Sequence, residues 1–497
     1  MKKTNRFFPK VLLLAVCGVS LTGPVLPDRL LGADSQHPVD SDPFTPAPLP
    51  TPDSALNPVE GEKVLPESGE GADEGNLGGK SWFIRLTAMA QLTSQTGKAG
   101  PGEYGYHHEG DDTSGVDSAT FRLMGEGGLG HAAWEVHYLN HRIQTTPQAV
   151  QIGGVETPTG AEWFRYKPLG EDLEKPSTDP AHPATGQNVV WHHELDRAYL
   201  AVWGDGFQLK MGRQVIGWGA GRFWKPTDVF GTFSPTDPDT AYKPGVDSVV
   251  ADVYPGEFSR ITLAVVAHPE RFSRMQNHTA MQFQQKMGDE SEVSLLLAKV
   301  LGRGEVGLSV ETAWLGAGWR LEHLTFENKP VEEAQVPLSP FLPLPPPPPG
   351  GEHGSQTVVG GDYRFSDGTL LLVEYSSHSL GADTEEELGG VAASADIRMG
   401  LQRQLSKRVL GVLLSRELTP LLQGSYAVFT SSLQDRQNQR WESFLHQISL
   451  TYSISDEAEA AAALYTANGR GLGPLGELRS EYGHLPNTFY ARLRVYF

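Results

Sequence analysis

Cysteine is all but missing. Cys17 stands alone among 497 residues, inside what reads as a leader. Without that leader the chain has no thiol. Disulfides, thiolate metal sites and Cys-x-x-Cys-His haem attachment are thereby excluded. A chain that crosses an oxidising compartment unfolded gains from this, because it cannot form wrong bridges. Long apolar runs are missing too. Val11–Val16 open an apolar stretch that reaches about Leu31, broken by glycine and proline, and nothing comparable follows. A membrane-spanning helix needs roughly 20 apolar residues, so helical spans are excluded. A surplus of positive charge is also lacking. The formal net charge is −20, the opposite of the basic surface that displaces counterions from nucleic acid.

What is present begins with an address. Lys2, Lys3, Arg6 and Lys10 precede the apolar stretch and Ala33 follows it. This is the layout of a secretory signal over residues 1–33. Cys17 raises a lipoprotein reading, which the large Val16 before it opposes. Residues 34–79 hold ten acidic side chains against one lysine, many prolines and glycines, and almost no aromatics. Such a segment buries too little apolar surface to offset the entropy of ordering. It is expected to be a disordered acidic, proline-rich periplasmic arm, either a plain spacer or a tether for a partner.

From Trp82 the texture changes. Segments of about ten residues alternate in polarity and are separated by turn clusters, the pattern of a membrane barrel. SRITLAVVA is one of them: Ile261, Leu263 and Val265 share one face, and Arg260 and Thr262 share the other. The same alternation explains how a chain with only 39% apolar residues can live in lipid. A barrel needs apolar side chains only on its outward face. Connectors at 203–206, 254–258, 288–292, 315–318, 366–368, 418–420 and 455–457 are short. Those near 95–116, 143–190, 217–245, 269–277, 327–355, 379–406, 433–442 and 467–487 are mostly long. Short periplasmic turns and long external loops predict an all-β fold over residues 80–497. The expected form is a transmembrane antiparallel up-and-down β-barrel of about 16–18 strands. The parity demands a strand at 279–287, which pattern alone leaves doubtful. Residues 391–406 have helical spacing and are expected to form a short loop helix.

Phe489, Leu493, Val495 and Phe497 share one face of the last segment, FYARLRVYF, opposite Tyr490, Arg492, Arg494 and Tyr496. Closure against the first strand would remove the bare edge such a strand leaves. The ending resembles the signal by which the barrel-assembly machinery recognises its clients. The block GRQVIGWGAGRFWKPTDVFGTFSPTDPDTAYKPGVD, residues 212–247, resembles a motif of Gram-negative outer-membrane β-barrels of a porin-like, largely uncharacterised family. YRFSDGTLLLVEY, SRELTPLL and LTYSISD share the likeness. The resemblance implies a barrel and supports a channel without naming a solute.

Physically, residues 212–247 begin as a strand and then lose alternation at Gly217, Gly219 and Gly221. The loop either folds into the barrel and narrows it or merely stabilises the mouth. In the first case Arg213, Arg222, Lys225, Asp228, Asp237, Asp239, Lys243 and Asp247 are the candidate constriction charges, since charged rings set pore selectivity. Other motifs carry less. His107, His108, Glu109, Asp111 and Asp112 lie in a glycine-rich loop with nothing to fix metal geometry. His192, His193 and Glu194 occupy a strand, where neighbours face opposite ways. His137, His192 and Ser259 could serve a barrel enzyme, but their spacing does not unite them. GEGGLG lacks the strand–turn–helix unit of a dinucleotide site. Pro345–Pro349 favour a stiff polyproline segment.

The expectation is a non-enzymatic outer-membrane channel for passive passage of small polar solutes, with no cofactor. Its partners would be outer-membrane lipid and the barrel-assembly machinery. The alternatives are a scaffold barrel for a periplasmic or outer-membrane partner protein, as in porin–cytochrome electron conduits, and a surface barrel that retains polysaccharide.

Overall fold

The computed structural model describes residues 81–96, 114–145, 164–165, 170–174, 188–235, 237, 242–267, 278–329, 351–473 and 477–497. The leader, the acidic arm, the 107–112 cluster and Pro345–Pro349 lie outside the described residues. The first strands are β1 (Ser81–Thr96), β2 (Ser114–Leu129), β3 (Ala132–Thr145), β4 (Gly170–Glu174), β5 (Asn188–Gly204), β6 (Phe207–Gln214) and β7 (Val246–Gly256). The next are β8 (Ser259–Val266), β9 (His278–Lys286), β10 (Ser291–Val300), β11 (Arg303–Trp314), β12 (Ala317–Glu327) and β13 (His353–Arg364). The last are β14 (Leu370–His378), β15 (Arg408–Thr419), β16 (Leu422–Gln434), β17 (Arg440–Ser455), β18 (Ala458–Asn468) and β19 (Asn487–Tyr496). No helix among the described residues is long and apolar enough to cross a membrane.

All nineteen strands form one antiparallel sheet. β4 is an addition to the wall. It pairs with residues 189–193 of β5, whereas β6 pairs with residues 198–204 of β5. The remaining eighteen strands close the barrel, because β19 pairs with β1 over ten positions, from Thr87↔Tyr496 to Thr96↔Asn487. Phe497 extends this seam: its N–H donates to the Leu86 carbonyl at 2.8 Å, and its own carbonyl accepts from Leu86 N–H at 3.1 Å. The expected strand at 279–287 is β9. It pairs with β8 on one side and β10 on the other.

The inside–outside alternation is clear in β10. Leu295 and Leu297 are about half exposed, while Ser294 and Leu296 between and beside them are buried. Large apolar side chains are exposed all round the wall, among them Leu123, Leu200, Leu263, Val359 and Leu464. In water they would be a continuous liability; in a bilayer they face their solvent. At the short-turn end Trp314, Trp319, Phe258 and Phe365 are exposed, at the level where aromatic girdles sit. The chain is thus an outer-membrane β-barrel.

α1 spans Glu385–Ala392, and α2, the short helix expected within 391–406, spans Ala395–Arg398. Thr384 and Glu387 form a capping box at the start of α1, so that acidic turn, and not the apolar spacing after it, sets the boundary. Residues 401–406 then leave the helical path, because Gln402 and Gln404 hydrogen-bond the backbone locally.

Candidate functional site: a loop across the lumen

The described part of the connection from β6 to β7, residues 215–235, 237 and 242–245, lies inside the barrel. Their tip touches the wall formed by β11, β12 and β14–β16, across the lumen from its own roots. Two inward carboxylates hold it. Glu322 lies midway along β12 and accepts from Gly221 N–H at 2.5 Å, Thr227 N–H at 3.1 Å and Thr227 Oγ1 at 2.7 Å. Glu374 lies midway along β14 and accepts from Arg222 N–H at 2.6 Å and Phe223 N–H at 2.7 Å. Phe223 and Trp224 stack edge-on against Phe429 of β16. Glycines on the wall make room for this approach. A Cβ at Gly411 would lie 2.8 Å from the Phe223 ring, and one at Gly307 would lie 2.9 Å from Thr227.

A polar lumen was the expectation, and on this side the structure departs from it. Ile216, Trp218, Val229 and Phe230 of the loop pack with inward-facing Val250, Val266, Leu296 and Leu324, and with Phe164 from the β3–β4 connection, as a buried core. An in-folded loop must bury apolar surface of its own to stay folded, so the strands it meets turn apolar residues inward as well.

The candidate charges have distinct placements. Arg213 forms a two-pronged pair with Asp247, at 2.7 and 2.9 Å, and also donates to the Leu195 carbonyl. It fastens β6 to β7 at the loop's base. Asp228 and Lys243 are buried together: both carboxylate oxygens lie 2.6 Å from Nζ, which also donates to the Ile216 carbonyl. Burial pushes the Asp228 carboxyl up and the Lys243 ammonium down, so each depends on the other to stay charged. Asp237 accepts from Ser234 N–H at 2.7 Å. Arg222 reaches Glu311 of β11 at 3.7 Å. Lys225 borders a small chamber between the loop tip and β11–β14. Asp239 lies outside the described residues. Among the seven described positions, two ion pairs fasten the loop, while Arg222 reaches the opposite wall.

The wall supplies charges outside the eight candidates. Arg320 bridges Asp362 at 2.5 Å and Glu311 at 3.0 Å. Arg492 and Arg494 share Glu459, at 2.7 and 3.3 Å. Arg122 pairs with Asp196, and Tyr242 of the loop stands between Arg122 and Arg494, 4.2 and 5.8 Å from its ring centre. Their signal was legible: a charge in the middle of an alternating strand, as in RLEHL or LLVEY, must face the lumen.

The other motifs stay apart. His192 and Glu194 face inward, and His193 faces outward, where it meets Tyr138 and Asn140 at 2.8 and 2.9 Å. Ser259 bonds Gln285 at 2.6 Å at the short-turn end of β8. His137 pairs with Glu135 at 2.9 Å. Among the described residues no three His, Cys, Asp or Glu side chains gather as a metal site.

The architecture is a closed transmembrane barrel with a loop folded into its lumen. Solved outer-membrane proteins have a similar outline. OccAB3 of Acinetobacter baumannii is 9% identical, with 84% of this chain and 99% of that one covered at a TM-score of 0.49. OccK2 (OpdF) of Pseudomonas aeruginosa, solved with glucuronate, is 9% identical, with 84% and 97% covered at 0.47. A BenF-like porin from Pseudomonas fluorescens Pf-5 is 8% identical, with 84% and 98% covered at 0.47. No family profile matches the chain, and no curated protein does.

Proposed function

We propose that the chain is a channel for passive passage of small polar solutes across the outer membrane. The observation that carries this is the loop fastened at mid-height inside a closed barrel, beside walls bearing rows of charge. An eighteen-stranded barrel is wide enough for an aqueous lumen, and a loop across it sets the size and charge of what passes. The same loop weighs against a partner protein threaded through the barrel, because its tip is fastened to β12 and β14 on the far wall. Purified barrel in planar bilayers is expected to give stepwise, ion-selective currents. A folded barrel that never conducts would overturn the reading.

The seam supports a second expectation, that Phe489, Leu493, Val495 and Phe497 serve assembly by the barrel-assembly machinery. Phe489 and Phe497 are exposed on the outward face, and the terminal residue closes the last backbone pair. A charge on the lipid face near an interface costs only about 0–1 kcal/mol. Phe497→Asp should nevertheless sharply lower the amount of heat-modifiable barrel in outer-membrane fractions. Normal amounts of folded barrel would show that this residue is not read during assembly.

A further inference from the structure

The crossing loop has a third attachment, on its return towards β7. Lys243 fixes this leg, with its Nζ donating to Asp228 and to the Ile216 carbonyl. The residue before it, Tyr242, reaches the wall of β2 and β19. Its ring centre lies 4.2 Å from the guanidinium carbon of Arg122 and 5.8 Å from that of Arg494. Both distances are within the reach of a cation–π contact. The two arginines stand on either side of β1, which pairs with β2 along one edge and β19 along the other.

Exposure shows what this cover does to the wall. Arg122 and its partner Asp196 are both buried. The Arg494 side chain is 2% exposed, whereas Glu459, which pairs with it, is 24% exposed. At that pair the lumen meets the carboxylate and not the guanidinium. The other charges on this side have partners of their own. Arg165 meets Glu194 at 3.3 Å, and Arg197 meets Glu135 at 3.0 Å. Arg492 shares Glu459 at 2.7 Å, and Arg492 and Asp237 of the loop both act on Tyr465. Arg122 and Arg494 are the cations under the Tyr242 ring. A carboxylate takes the N–H edge of a guanidinium, and an aromatic ring takes its face. Charges that line a pore select ions by sign, so an arginine whose face is covered contributes little to that selection. We propose that Tyr242 sets the ion selectivity of the channel by screening Arg122 and Arg494 from the lumen. The proposal rests on the channel reading for its effect on current, and on the path of the loop alone for the cover itself.

The test uses the full-length barrel, in planar bilayers under a potassium chloride gradient and in detergent with phenylglyoxal, a neutral dicarbonyl that reacts with arginine. Tyr242→Ala should raise the chloride-to-potassium permeability ratio, read from the reversal potential, at least about twofold. In detergent it should speed the labelling of Arg122 and Arg494, located by peptide mass spectrometry, severalfold. Tyr242→Phe keeps the ring and should match the parent in both. Arg494→Gln added to Tyr242→Ala should return much of the permeability shift. Tyr242→Leu, which has no aromatic face, takes the place of the alanine variant where that one lacks heat-modifiable folding. A folded, conducting variant with the parental permeability ratio overturns the proposal, and so does a shift that persists undiminished with Arg494→Gln. Labelling as fast in the parent as in the variant shows that the ring is no cover. A parent that never conducts overturns the channel reading instead, while faster labelling of the variant still supports the cover.

Discussion

The double variant Glu322→Ala, Glu374→Ala is expected to conduct severalfold more than the parent in planar bilayers, with weaker ion selectivity. The two carboxylates accept from four backbone N–H groups of the loop tip, at Gly221, Arg222, Phe223 and Thr227. Hydrogen bonds to a charged group contribute roughly 1.5–3 kcal/mol each, and a buried amide left without a partner costs about 1–3 kcal/mol. With both carboxylates gone, the tip can satisfy its amides only by moving into the water of the lumen. The base of the loop should stay in place, because Trp218 and Phe230 remain in their apolar cluster. The gain in conductance therefore comes from residues 219–227 alone. Single variants should fall in between, and Glu374→Gln should be the mildest, since its amide oxygen still accepts. A folded double variant with parental conductance and selectivity would show that the loop tip does not limit passage.

How much of this was legible beforehand follows from which interactions are local. The barrel was readable because alternation is a property of each strand alone: Leu295 and Leu297 announce their outward face whatever β9 and β11 do. Closure was readable from the last segment, whose outward row continues onto β1. The loop's path was harder. Its glycines signalled a break from the strand, but the carboxylates that hold its tip lie 95 to 152 residues away in sequence, and nothing near position 221 points to them. The pairing of two candidate charges was hidden for the same reason. Asp228 and Lys243 are fifteen residues apart and look like two free lumen charges in the sequence. Only the fold shows that they neutralise each other. A further helix, α1, begins before residue 391 because a local capping pair, Thr384 and Glu387, starts it there.

That buried pair gives the largest expected effect on stability. Lys243→Met should destabilise the loop by about 3–5 kcal/mol, the usual consequence of leaving one member of a buried pair without the other. Asp228 would then keep Trp218 N–H at 3.3 Å as a hydrogen-bond donor and the more distant charge of Lys225, too little to hold a charge away from water. Burial already pushes its carboxyl up. Without Lys243 it should rise further until the group takes a proton, and protonation limits the cost at acid pH. The sign follows: the Met variant approaches parental behaviour as the pH falls and departs from it as the pH rises, because only the ionised Asp228 is the liability. The double variant Asp228→Leu, Lys243→Met removes both charges and should recover most of the loss, since an apolar replacement of a whole buried pair is often neutral or better. The readouts are amide hydrogen exchange of residues 215–232 and the noise of the open-channel current, each measured from about pH 5 to pH 8. Protection as strong in the single variant as in the parent, at every pH, would mean that the pair does not hold the loop and that its apolar cluster suffices.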